Sequence, residues 1–87
     1  MHQSFSKTLM ALPNGSYDVI FERKRYLLSK ESKFADKIIK LYAKELGGSD
    51  FVSLNFYPYI DKGLLKPCEM PAEKVIAFIL NAHVITP

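Results

Sequence analysis

The chain has 87 residues, 48% of them hydrophobic and 24% charged, and its 12 Lys and Arg against 9 Asp and Glu give a net charge of +3. That length bounds it to one domain, residues 1–87, with a core thin enough that an oligomer is a natural supplement, while the composition excludes a disordered or low-complexity body. A single cysteine, Cys68, excludes an intramolecular disulfide framework, and no run of about 18 apolar residues offers a membrane span.

The N-terminus MHQSFSKTLMAL lacks an unbroken apolar leader. With the lone cysteine it points to a reducing, cytoplasmic setting and to no membrane partner. A charge of +3 is mild for a nucleic-acid binder, so the distribution of the cations matters more than their total.

Residues 1–14 read as a short helix or a partly mobile leading segment, with Phe5, Leu9 and Leu12 on one side. Pro13 and Asn14-Gly15 end it, because proline cannot continue a helix and Asn-Gly is turn chemistry. His2 falls in the mobile part. Next, Tyr17, Val19 and Phe21 alternate with Asp18, Ile20 and Glu22, and Tyr26-Leu27-Leu28 follows at once. This is a β-hairpin turning at or beside Arg23-Lys24.

Residues 31–48, ESKFADKIIKLYAKELGG, suit a helix, with 36–46 the part that a strand could claim instead. On a helical wheel Phe34, Ala35, Ile38, Ile39, Leu41, Tyr42 and Leu46 fill one arc, and Lys33, Lys37, Lys40 and Lys44 the opposite one. Gly47 stands where a left-handed C-cap is wanted. The rival is a strand with Ile39, Leu41 and Ala43 on one face. Phe51–Tyr57 then alternates as a strand, Val52, Leu54 and Phe56 inward and Ser53, Asn55 and Tyr57 outward, until Pro58 interrupts it. A turn at IDKG lets Leu64-Leu65-Lys66 return as a short strand. The last element, helix 71–84, opens on Pro71 and Glu73, both favoured in a first turn. Its apolar arc, with Val75, Ile76, Phe78, Ile79, Leu80 and His83, exceeds half the circumference.

The expected class is α+β: a small antiparallel sheet of three to four strands, with two helices (three counting the leading one) packed on one face. No catalytic constellation is readable. Cys68 near a helix start, with Lys66 beside it, has the setting of a lowered thiol pKa but lacks a base or a second cysteine, and a small packed side chain is the simpler reading. His83 and His2 likewise lack partners, and no metal or cofactor signature is present. The favoured function is a non-catalytic binding domain that homodimerises through Val75, Ile76, Phe78, Ile79 and Leu80, since so wide an apolar face exceeds what a small sheet needs. The alternative is a nucleic-acid-binding accessory protein. It would grip phosphates with Arg23, Lys24, Arg25, Lys33, Lys37, Lys40 and Lys44 and stack bases on Tyr57 and Tyr59. A basic hairpin turn beside a helix resembles the layout of phage-integrase arm domains, a likeness of architecture with no shared motif. A thiol-dependent enzyme or regulator built on Cys68 is the third reading. A small-molecule ligand is not legible.

Overall fold

The computed structural model describes residues 3–85; His2 lies outside them. A helix α1 (Gln3–Ala11) leads into strands β1 (Gly15–Phe21), β2 (Lys24–Lys33), β3 (Ile38–Glu45), β4 (Phe51–Tyr57) and β5 (Leu64–Pro67). Helix α2 (Ala72–Asn81) and a two-residue strand β6 (His83–Val84) complete the chain. All six strands form one antiparallel sheet in the order β5-β4-β3-β2-β1-β6, and both helices lie on one face of it.

The expectation of three to four strands is therefore corrected to six. The expected helix over residues 31–48 is instead the end of β2, a turn and strand β3 (Ile38–Glu45). Ile39, Leu41 and Ala43 are buried while Lys40, Tyr42 and Lys44 are exposed, a period of two. The segment is rich in good helix formers, but β2 and β4 flank it and satisfy its backbone on both sides, and such pairing overrides propensity. The turn feeding β3 hid the hairpin. Phe34, Ala35 and Asp36 adopt left-handed φ of 55°, 54° and 66° with no glycine or asparagine to announce it. Gly47 does have positive φ, +84°, but in the β3–β4 turn rather than at a helix end.

The first hairpin turns where expected, beside Arg23-Lys24. Phe21 pairs with Lys24, so Glu22 and Arg23 form the two-residue loop, both left-handed as a type I′ turn requires. The final helix is shorter than 71–84, because its last residues leave to pair with β1: Val84 lies opposite Val19 and His83 opposite Ile20. His83 is consequently an exposed edge-strand residue and not part of the helix face.

The core fills the space between the helices and the inner sheet face. Phe5 and Leu9 of α1 are fully buried, with the Phe5 ring edge-on to Phe56 at 5.7 Å. Phe78 of α2 packs between Tyr26 (5.1 Å) and Phe21 (5.0 Å). One charge is buried there. Lys30, 5% exposed, donates to the carbonyls of Leu12 (2.5 Å) and Met10 (3.4 Å), meeting the oxygens that the end of α1 leaves without helical partners. Burial pushes its ammonium below the ordinary lysine pKa.

Val75, Phe78 and Ile79, expected at a dimer contact, are in this core at 0%, 0% and 2% exposure. The wide arc of α2 is used inside the chain: one flank meets α1, and the rest covers β4, β5 and the aromatic cluster of β1 and β2. Ile76 is half-buried against the core, which leaves Leu80 as the exposed remainder of the five.

A candidate binding face on the uncovered side of the sheet

Because β-strand side chains alternate, the register fixes what the uncovered face presents. Asp18, Leu27, Lys44 and Phe51 form one transverse row. Above it run Ser16, Ser29, Tyr42 and Ser53, then Glu31, Lys40, Asn55 and Lys66. Successive rows lie about 7 Å apart along the strands. The middle row is a line of hydroxyls, with Ser16 and Ser29 hydrogen-bonded at 2.9 Å. Above these strands an open depression of about 770 Å³ is lined by Ser16, Ser29, Glu31, Lys40, Tyr42, Ser53 and Asn55. Tyr42, 46% exposed, stacks on Phe51 with centroids 6.0 Å apart and planes at 28°.

Charge on this face is uneven. Arg25 is paired with Asp18 at 3.7 Å and Lys33 with Glu31 at 3.6 Å. Lys40, Lys44 and Lys66 have no carboxylate within 4.0 Å among the described residues. Strand spacing puts Lys40 and Lys66, two strands apart in one row, about 10 Å from each other, and Lys44 about 14 Å down the strand from Lys40.

Four of the seven expected cations, Arg25, Lys33, Lys40 and Lys44, thus share a face, though of a sheet and not of a helix. The resemblance to a basic turn beside a lysine-faced helix lapses with that helix. Arg23 and Lys24 sit at the β1–β2 turn, at the opposite end of β2 from Lys37, which is in the β2–β3 turn. Lys66 was missed. Its signal was the alternation of Leu65 and Lys66 in a strand only 4 residues long.

The residues weighed for catalysis are kept apart. Cys68, half-buried, follows β5 at one edge of the sheet, and His83 belongs to β6 at the other. Across six strands that is roughly 24 Å. Among the described residues no three His, Cys, Asp or Glu side chains converge as a metal site would need, and no helix is long and apolar enough to cross a membrane.

A second polar cluster closes the lower end. Asp50 accepts hydrogen bonds from the Tyr26 hydroxyl (2.7 Å) and from Lys74 Nζ (2.5 Å), and its own backbone N–H donates to Glu45 (3.2 Å). Lys74 and then Tyr26 hold the Asp50 carboxyl below the ordinary carboxylate value. Burial, reinforced by Asp50, pushes the Tyr26 phenol well above its ordinary one. Tyr26 is 1% exposed, and through it and Lys74 this cluster ties α2 to the β3–β4 turn. No protein-family model matches the chain, and no curated protein or solved structure shows significant similarity to it, so the reading of the face rests on its geometry.

Proposed function

We propose that this chain is a binding protein for single-stranded nucleic acid, held on the uncovered face of its sheet. The observation that carries the proposal is the set Lys40, Lys44 and Lys66, free of carboxylate partners among the described residues and placed around the Tyr42–Phe51 aromatic pair. Cations that meet phosphates supply a sequence-blind, salt-dependent grip, and an exposed ring stacks on any base. Serine hydroxyls and Asn55 between them can donate to or accept from sugar and base edges. A duplex fits less well. The face of β2–β5 is about 15–20 Å across by strand spacing, wider than the roughly 12 Å major groove.

The test is fluorescence anisotropy of a labelled, mixed-sequence single strand titrated at about 50 mM and 200 mM salt. Binding should weaken steeply with salt, and the triple variant K40Q/K44Q/K66Q should flatten the slope of log K against log salt by about 2, at roughly 0.7 per phosphate contact. No binding at the lower salt, or an unchanged slope in the triple variant, would sink the proposal. Homodimerisation through α2 forms no part of it, since Val75, Phe78 and Ile79 are already buried within the chain.

A further inference from the structure

The two most exposed large apolar side chains of the described residues are Phe34 (72%) and Tyr59 (71%). Phe34 opens the turn between Lys33 and Ile38, and Tyr59 lies in the loop between Tyr57 and Leu64. These two hairpins turn at the same end of the sheet, because β3 and β4 are neighbours with Ile39 opposite Phe56. Strand spacing sets the two turns about 10 Å apart. Neither ring contributes to the core, and Phe34 stands exposed on a left-handed backbone that side chains normally avoid.

Tyr57 and Leu64, paired in the last row of the uncovered face, lie between the Lys40–Lys66 row and this end. We infer that Phe34 and Tyr59 form a stacking station for bases at the end of the track, where a strand gripped along the sheet by Lys40, Lys44 and Lys66 runs over its upper edge. The inference rests on the single-strand reading above and extends it to a second contact region.

An anionic bilayer, the other surface that takes aromatic tips flanked by lysine, fits less well. The two turns at this end each carry one aspartate and one lysine, Asp36 with Lys37 and Asp61 with Lys62, and so no net positive charge, while Lys40, Lys44 and Lys66 stand on the face behind it. A flat membrane needs apolar side chains and cations in one plane, whereas a strand can bend from one surface to the next.

The experiment compares a mixed-sequence single strand with an abasic strand of equal length and charge. The proteins are the wild type, F34A, Y59A and F34A/Y59A, with circular dichroism confirming that each remains folded. Wild type should prefer the base-bearing strand, and each substitution should reduce that preference by roughly 5- to 150-fold, the range for one stacked base, while leaving the salt slope unchanged. Binding that depends on Lys40, Lys44 and Lys66 but not on Phe34 or Tyr59 would overturn this inference alone. No binding to either strand would overturn it together with the proposed function. Sedimentation with phosphatidylserine-containing vesicles that requires Phe34, without any preference for bases, would replace it with membrane docking.

Discussion

The two faces of this sheet are written by the same strands and obey opposite rules. Inward, Val19, Tyr26, Leu28, Ile39, Leu41, Ala43, Val52, Leu54 and Phe56 are all buried and meet Phe5, Leu9, Val75, Phe78 and Ile79 of the helices. The one buried charge among the described residues, Lys30, is accepted because two backbone carbonyls accept its hydrogen bonds. Outward, the same strands present hydroxyls, lysines and the stacked rings of Tyr42 and Phe51, with the Lys74 side chain of α2 reaching the Phe51 ring at 5.9 Å from its centroid. The difference teaches where stability resides. Apolar burial of one face supplies the folding free energy, so the other is free to carry partner chemistry at little cost to the fold.

The largest expected effect comes from exchanging those rules. Phe78→Glu places a carboxylate between Phe21 and Tyr26, and the loss should exceed the roughly 3–5 kcal/mol typical of Phe→Ala. A domain of 87 residues holds roughly 4–13 kcal/mol in total, so the variant should lose its cooperative urea transition. Tyr42→Glu on the other face should cost at most about 1 kcal/mol, the scale of a cross-strand pair. A folded Phe78→Glu protein would show that α2 is not committed to the core and would restore a case for self-association through it.

A second effect sharpens the comparison at the lower end, where Tyr26 of the inner face reaches Asp50. The Asp50 carboxyl is held below its ordinary 3.8, first by Lys74 and then by Tyr26. The folded state therefore binds that proton less readily than the unfolded chain, and the stabilisation is complete above about pH 4 and lost as pH falls through the folded value. The Tyr26 phenol is raised above its ordinary 10.0, chiefly by burial. Its contribution is present below about pH 10 and is lost as pH rises further. Urea midpoints should thus fall at both extremes, with Asp50→Asn giving a shallower acid limb. An acid limb identical to wild type would show that Asp50 does not couple the helix to the sheet.

The smallest effect belongs to neither face. Glu22 and Arg23 occupy left-handed positions, φ 50° and 66°, that a side chain resists. Arg23→Gly should relieve that strain and raise stability by about 0.5–1 kcal/mol after the entropy that glycine adds to the unfolded chain. It should leave oligonucleotide affinity unchanged, because Arg23 lies at the end of the sheet away from Phe34 and Tyr59. A drop in affinity would extend the binding face down to that turn.

Local pattern was enough for some elements and not for others. Phe51–Tyr57 was legible to the residue, because strict alternation between a proline and a glycine pair admits one reading. The body of α2 was equally plain from its helical period, whereas the segment of α1 read as either a short helix or a partly mobile stretch. Ile38–Glu45 was not, since its lysines fit a helical wheel and a pleated strand alike. The outward lysines were visible as residues, but their grouping with Lys66 and Tyr42 was not, because it depends on the register of separate strands.

What the sequence determined by itself was whatever a period of two or of 3.6 residues writes into a short window: the first hairpin, β4, and the amphipathic character of α2. The tertiary structure alone decided that Ile38–Glu45 pairs on both sides, that His83 and Val84 leave the helix to join β1, and that the apolar arc of α2 is buried within the chain. The reason is physical. Side-chain periodicity is a local property of the backbone, whereas strand pairing and burial depend on partners far away in sequence, and their free energy exceeds the few tenths of a kcal/mol per residue by which local propensities differ.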